Sequence, residues 1–213
     1  RGARHTLRIW AGQVLKVVSC SCLMIDVLCC GLTLDVDCGE GLMPEFRRNY
    51  VPGGTFFFTC VTYRRRPILT SQLGRRCLRE AIQHIRTRHP FELVAIVLLP
   101  DHWHCVWTLP PGDDRYAMRW RRIKEEFTER WLDAGGEEQH QSPSRQKHGM
   151  RGVWQKRYWE HTVRGEDDLE RCVDDSHWNP LKHKLARRVR DWRWSSFHRF
   201  VVEGQYDIVA QLQ

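Results

Sequence analysis

The sequence predicts an α+β fold in which an antiparallel sheet carries helices packed mainly on one face. From Met43 onward, the pattern of apolar residues gives the order strand, helix, strand, strand, helix, strand, helix. The sequence contains no Gly-rich phosphate loop and no internal repeat, which disfavours a doubly wound or solenoid architecture. A split βαβ, ferredoxin-like arrangement fits this order. The chain has 213 residues, 41% of them hydrophobic, which is enough for one core without disulfide or metal staples.

The first strand and the first helix have clear local signals. Gly53-Gly54 indicates a turn, and the aromatic and β-branched residues of 55–63 then predict a strand. Apolar residues at helical spacing predict a helix over 73–88. Pro90 restricts the residue before it and ends that helix.

A hairpin and a second long helix follow. The nearly continuous apolar run 91–99 and the segment 102–109 read as two strands joined by a turn at Pro100-Asp101. Either Asp113 or Asp114 is suited to cap a helix that runs to about Leu132.

The last third of the chain is less regular. Residues 133–152 are polar, rich in Gly and Ser and without periodicity, so we interpret them as a mobile surface loop. A short strand is expected within 153–163. Acidic residues at 166–168 favour a helix start, and we expect that helix to end near Trp178 because Pro180 follows. The domain would extend to about residue 200, followed by a C-terminal tail, 201–213.

The net charge of +8 favours a polyanionic partner, most often a nucleic acid. This surplus lies entirely in residues 43–213, because the first 42 residues carry equal numbers of basic and acidic side chains. Those side chains are Arg1, Arg4, Arg8, Lys16, Asp26, Asp35, Asp37 and Glu40.

We interpret residues 1–42 as a poorly packed N-terminal extension upstream of the natural start, Met43. Their apolar run, 14–34, is interrupted by Lys16 and Asp26, and a charge in mid-span disfavours insertion into a membrane. We therefore expect no membrane association.

The cysteines favour a reducing, cytoplasmic location. Cys60, Cys77, Cys105 and Cys172 are scattered in apolar or helical contexts, as buried thiols usually are. The others crowd the first segment at spacings that do not match those of structural zinc sites. These are Cys20, Cys22, Cys29, Cys30 and Cys38.

His102-Trp103-His104, at the start of a predicted strand, is the motif that carries chemistry. Residues i and i+2 of a strand project from the same face, so the two imidazoles are placed to share one divalent cation while Trp103 enters the opposite layer. Alone, the motif is weak evidence for a metal site, because two ordinary surface histidines are the more common explanation of such a pattern.

The surrounding sequence resembles the REP-associated tyrosine transposases, a family of the single-tyrosine HUH superfamily, named for two histidines around a hydrophobic residue. The resemblance spans 43 to about 200, with the blocks in the right order. The matching blocks are Arg47-Arg48-Asn49-Tyr50 with Gly53-Gly54-Thr55, Leu98 to Trp107, Trp154 to His161, Val173-Asp174, Asn179 to His183, Asp191-Trp192 and Ser196 to Arg199.

The resemblance implies an HUH transposase fold and a metal-dependent cleavage of single-stranded DNA by a tyrosine, through a covalent phosphotyrosine link. It implies that His102, His104 and Asn179 hold Mg²⁺ or Mn²⁺, without a small-molecule cofactor. In the family the nucleophilic tyrosine lies four residues before the third ligand. Here that position is Asp175, so we expect strand cleavage and transfer to be impaired.

The resemblance also implies single-stranded or palindromic hairpin DNA as the partner of a monomer or homodimer. Basic residues among aromatic rings are suited to phosphates and unstacked bases. The candidate DNA contacts are Arg47, Arg48, Tyr50, Lys156, Arg157, Trp159, His161, Lys182, His183, Arg193 and His198. Two alternatives stay open: a non-catalytic hairpin-binding protein derived from a transposase, and a metallohydrolase using His102, His104 and Asp175.

Overall fold

The computed structural model describes residues 48–206, so Arg47, the expectations for residues 1–42 and most of the C-terminal tail lie outside the described residues. A four-stranded antiparallel sheet has the order β2-β3-β1-β4. The four strands are β1 (Thr55–Val61), β2 (Glu92–Leu98), β3 (His102–Thr108) and β4 (Trp159–Thr162). The helices are α1 (Gln72–Arg88), α2 (Tyr116–Asp133), α3 (Pro143–Lys147), α4 (Glu166–Lys182) and α5 (Phe197–Val202), with short 3-10 turns at Tyr63–Arg65 and Val189–Asp191. The predicted α+β class with an antiparallel sheet is confirmed.

The first face of the sheet packs against the two longest helices, α1 and α2. Alternate residues of β1 and β3, among them Phe58, Trp103 and Trp107, belong to one buried cluster with apolar residues of both helices. Trp120 of α2 lies against Trp103 and Trp107, with ring centroids 4.9 and 4.7 Å apart. This aromatic layer forms the main core.

The second face of the sheet carries α4. Phe57, Ala95 and Val106 pack there against Val173 of α4 and Phe200 of α5. The layer on this face is smaller and more polar than the first, and it includes the two histidines of β3. Helices therefore cover both faces, with the larger apolar layer on the side of α1 and α2.

Local chemistry explains where α1 begins. The Ser71 hydroxyl accepts a hydrogen bond from the Gly74 N–H at 3.0 Å, which satisfies one of the free amides at the helix start. Gly74 is required because a Cβ there would lie 2.0 Å from the Ile68 carbonyl oxygen.

The end of α4 differs from the prediction. The helix does not stop near Trp178 but continues through Pro180 to Lys182. Proline removes one N–H in the final turn, yet the turn still closes because the His183 N–H donates to the Asn179 carbonyl at 3.0 Å. The conformational preference before proline is outweighed by burial of Asn179 and Pro180.

Residues 133–152 contain a short helix and several side-chain hydrogen bonds, unlike the expected loop. They contain α3, whose start is capped by the Ser142 hydroxyl. Arg151 forms a bidentate ion pair with Glu138, and Arg145 donates to the Trp154 carbonyl at 3.2 Å. The prediction of a segment without secondary structure was therefore wrong for 143–147, since short-range pairing of polar side chains leaves no hydrophobic periodicity in the sequence.

The outer edge of β2 is covered by the segment before α5. The Leu98 N–H donates to the Trp194 carbonyl and the Ser196 N–H to the Ile96 carbonyl, both at 2.8 Å. The basic segment after α4 thus returns to the sheet. None of the described helices combines the length and apolar character needed to span a lipid bilayer.

Candidate functional site

The two histidines of the motif lie on the same face of the sheet, as predicted, and this is the face that carries α4. Their ring centroids are 5.0 Å apart, and both side chains are almost fully buried, at 1% and 0% exposure. Trp103 between them enters the opposite layer. The alternation of a β-strand therefore produces the geometry that the motif predicted.

His102 is held by a carboxylate. Its Nδ1 donates a hydrogen bond to Asp101 Oδ1 at 2.7 Å, and Arg65 donates to the other carboxylate oxygen at 2.9 Å. These hydrogen bonds, that of His102 first, lower the pKa of Asp101 to about 2 against the opposing effect of burial. With the proton on Nδ1, the lone pair of a neutral His102 lies on Nε2.

His104 is fixed from three sides. Its Nδ1 lies 2.8 Å from the Thr59 hydroxyl on the paired strand β1, and Phe57 stacks on its ring with centroids 5.5 Å apart. The Asn179 side chain hydrogen-bonds the ring as well. Complete burial, followed by the proximity of His102, lowers the pKa of His104 well below its ordinary value, so the ring is neutral at physiological pH.

The site contains two buried polar atoms without a hydrogen-bond partner in the described part of the chain, Nε2 of His102 and Oδ1 of Asn179. A buried unpaired polar atom costs about 1–3 kcal/mol and needs a physical reason. A nitrogen lone pair and an amide oxygen are both ligands for a divalent cation, so this donor set fits one.

His183 also belongs to this neighbourhood, which the sequence did not predict, since His183 was expected only as a DNA contact. Its ring centroid lies 5.0 Å from that of His102. His183 follows α4 directly, four residues after Asn179, so both side chains lie on the same helical face.

Asp175 lies one turn before Asn179 on α4 and is half-buried. Its carboxylate accepts a hydrogen bond from Lys182 Nζ at 3.0 Å. The side chain is therefore part of an ion pair on the same helical face as the candidate ligand.

Tyr206 also contacts α4, but on a face turned away from Asp175 and Asn179. The Tyr206 hydroxyl donates to Asp174 Oδ1 at 2.5 Å and lies 2.9 Å from His177 Nδ1. Burial and the nearby carboxylate raise the pKa of Tyr206 above its ordinary value. This hydroxyl is suited to tie the chain end to α4 rather than to attack phosphorus.

The predicted DNA contacts lie on several elements of the fold, and Tyr50 lies on the α2 side of the sheet, opposite the two histidines. Tyr50 is 52% exposed and stacks on Tyr116, with ring centroids 5.4 Å apart. His161 hydrogen-bonds Asp168 at 2.8 Å and stacks on Trp159. The exposed members are Lys156, Arg157, Lys182, Arg193 and His198, whereas Arg48, Trp159, His161 and His183 are half-buried.

Three positioning residues escaped prediction from the sequence. Asp101 was interpreted only as a turn residue, yet it orients His102 through Nδ1. Thr59 and Arg65 come from the β1 strand and the turn after it. The one available signal was the carboxylate of Asp101 directly before the two histidines. Thr59 depends on strand register, since it pairs with His104.

Comparison with known proteins identifies the class first: the family model "Transposase IS200 like" matches residues 53–173. A REP-associated tyrosine transposase of Escherichia coli (strain K12) is 42% identical over 167 residues, covering 78% of this chain and 90% of the relative. A putative REP-associated tyrosine transposase of Haemophilus influenzae is 41% identical over 160 residues, covering 75% of this chain and 88% of the relative.

A solved structure gives the same result. The structure of a REP-associated tyrosine transposase bound to a REP hairpin matches with a TM-score of 0.64 and 41% identity, covering 78% of this chain and 90% of that one. The chain belongs to the REP-associated tyrosine transposases, within the IS200-like transposase family.

Proposed function

We propose that this protein binds hairpin DNA from palindromic repeats and holds Mg²⁺ or Mn²⁺ through His102, His104 and Asn179. The pair of buried, unpartnered ligand atoms at His102 and Asn179 is the observation that carries the proposal. Hairpin binding is supported by the 41% identical structure, which contains a REP hairpin. When bound, the cation would polarise the scissile phosphate.

The chain's own residues supply the rest of the metal site. Asp101 fixes the tautomer and orientation of His102, as carboxylates do for metal-bound histidines. Thr59 and Phe57 hold the His104 ring, and burial keeps that ring neutral so that it offers a lone pair. The site would therefore need little rearrangement to accept a cation.

We propose further that strand cleavage and transfer are impaired, because Asp175 occupies the position of the nucleophilic tyrosine. A carboxylate attacking phosphorus would give an acyl phosphate, which hydrolyses readily and cannot preserve the strand for transfer. The Asp175 carboxylate also forms an ion pair with Lys182, with the nitrogen and oxygen 3.0 Å apart.

The same observation favours a second candidate function, a hairpin-binding protein derived from a transposase and without cleavage activity. In this case the basic and aromatic residues around the site would hold phosphates and unstacked bases, with no covalent step. The two candidates share the partner and differ only in chemistry.

A denaturing gel with labelled single-stranded hairpin DNA and Mn²⁺ separates these functions. We expect the unaltered protein to form no protein–DNA adduct and Asp175→Tyr to form one. The matched control is Asp175→Phe, which adds the same ring without the hydroxyl and should form none. Asp175→Tyr combined with His102→Ala should lose the adduct, because the metal site is then incomplete.

The other outcomes are equally decisive. An adduct formed by the unaltered protein would overturn the proposed impairment. No adduct from Asp175→Tyr, in a protein that still binds the hairpin, would contradict the view that only the nucleophile is missing. Cleaved DNA without an adduct, dependent on Asp175, would establish the metallohydrolase instead.

A further inference from the structure

A second cluster of ligand atoms lies at the junction of β4 and α4. Among residues 48–206, His161, Asp168 and Cys172 place one ligand atom each within 4.8 Å of one another. We propose that these three side chains form a second metal site, specific for Zn²⁺ or a cation of similar softness. The proposal does not depend on the function of the His102 site.

The fold brings these residues together in a simple way. Asp168 and Cys172 are four residues apart on α4, so they lie on one helical face. His161 belongs to β4, three residues before the turn that starts the helix. The cluster therefore joins the edge strand of the sheet to the first turns of α4.

The chemistry of the set points to the class of metal. One imidazole, one carboxylate and one thiolate offer nitrogen, oxygen and sulfur, a mixture typical of Zn²⁺ and unlike the oxygen ligands of Mg²⁺. A deprotonated Cys172 and Asp168 together carry two negative charges, which balance a divalent cation. Binding would release the thiol proton to solvent.

Existing hydrogen bonds prepare the first two ligands. His161 Nε2 lies 2.8 Å from Asp168 Oδ2, and the cation would take the place of the hydrogen between them, leaving the proton of the neutral imidazole on Nδ1. The same carboxylate oxygen accepts from the Arg164 N–H at 2.8 Å, which fixes its orientation from outside the cluster.

Space for a fourth ligand is also present. A cleft of about 450 Å³ borders the cluster and is lined by His161, Arg164, Gly165, Asp168 and Arg171, among others. A water molecule can complete a tetrahedral set from this side. The buried thiol of Cys172, 7% exposed, closes the opposite side.

The position of the cluster suggests what the metal does. Cys172 and Asn179 lie seven residues apart on α4, roughly 10 Å along the helix axis. A metal at the cluster would tie the start of α4 to the sheet and so fix the helix that carries Asn179. Its role would be structural, since no reacting group of the first site belongs to it.

A sulfur-specific signal tests the proposal and separates it from the first site, which contains no thiolate. The full-length reduced protein, freed of metal with EDTA, is titrated with Co²⁺, and the thiolate-to-Co²⁺ charge-transfer band is recorded. We expect one equivalent of Co²⁺ to produce a band that Zn²⁺ displaces. Cys172→Ser should remove the part of the charge-transfer band that arises from the Cys172 thiolate. His161→Gln should weaken Co²⁺ binding about 10- to 100-fold.

Matched controls test whether the band depends on Cys172 in particular. Cys77→Ser removes another buried thiol and should leave the band unchanged, as should Asn179→Ala at the first site. Circular dichroism verifies that each variant is folded. The absence of any band, or an equal band in Cys172→Ser and the unaltered protein, would overturn the proposal, whatever the fate of hairpin and Mn²⁺ binding at the first site.

Discussion

Replacing Asp113 by Ala tests the buried ion pair that anchors α2. Arg119 is only 1% exposed, and its guanidinium donates to both carboxylate oxygens of Asp113, at 3.1 and 2.9 Å. Removing the carboxylate leaves a buried positive charge whose remaining partners are the carbonyls of His89 and Pro90.

The expected loss of stability follows from these contacts. Breaking a buried ion pair by removing one partner costs about 3–5 kcal/mol, and the two remaining carbonyl hydrogen bonds favour the lower end, about 3 kcal/mol. For a chain of this size, each kcal/mol lowers the melting temperature by about 2–4 °C, which gives a decrease of about 6–12 °C. Thermal unfolding followed by circular dichroism measures this change.

Arg115→Ala is the matched control. Arg115 pairs with the same carboxylate at 3.2 Å, but its side chain is 67% exposed, so its loss should cost less than about 1 kcal/mol. Equal effects of the two substitutions, or a decrease of less than about 2 °C for Asp113→Ala, would refute the reasoning from burial.

The pH dependence provides an independent check. The hydrogen bonds from Arg119 hold the pKa of Asp113 well below its ordinary value of 3.8. A carboxyl group with a lowered pKa in the folded protein stabilises it above the unfolded pKa, and the contribution is lost as the pH falls toward the folded pKa. The difference in the free energy of unfolding between the unaltered protein and Asp113→Ala should therefore stay constant from pH 7 to about pH 5 and narrow as the pH falls below about 4.

Three further predictions concern ligands and the chain end. Hairpin affinity, measured by fluorescence anisotropy, should fall about 10³- to 10⁵-fold between 50 and 200 mM salt if 6–10 phosphates are contacted, and Lys156→Ala should lower the salt slope by about one; a flat response would argue against phosphate contacts. Mn²⁺ at about 100 times its Kd should raise the free energy of unfolding of the unaltered protein by about 2.7 kcal/mol and should not raise that of Asn179→Ala. Equal stabilisation of both proteins would place the ion elsewhere. Tyr206→Phe should cost about 1–3 kcal/mol in urea unfolding, because its hydroxyl bonds side chains of α4. When Tyr206→Phe is combined with Asp175→Tyr, the yield of protein–DNA adduct should not fall. A lower yield would show that Tyr206 participates in cleavage.

Periodicity predicted the parts of the fold that depend on local alternation. The facing of His102 and His104, with Trp103 in the opposite layer, follows from the period of two residues in a strand and is confirmed. The backbone hydrogen bonds of residues 194–196 with β2 join residues about 100 positions apart, so no local pattern encodes them.

Local preferences failed where tertiary contacts override them. Pro180 was expected to end α4 early, but the buried face of the last turn continues the helix to Lys182. The strand expected within 153–163 is shorter, Trp159–Thr162, because only these residues pair with β1. The roles of Asp175 and Asn179 stay predictions, since they come from the family resemblance and not from periodicity.

The energetics of the site favour retention of cation binding despite the change at position 175. Nε2 of His102 and Oδ1 of Asn179 together cost the metal-free protein about 2–6 kcal/mol, because each is a buried polar atom without a partner. An apolar pair of similar volume would avoid that cost, as replacements of buried polar groups generally do. The two unpaired atoms, and the Asp101 carboxylate that orients His102, stabilise the protein only when a cation is bound. On the proposal that Asp175 stands at the position of the tyrosine, this protein would bind the metal without cleaving DNA, and the Asp175→Tyr variant tests that separation directly.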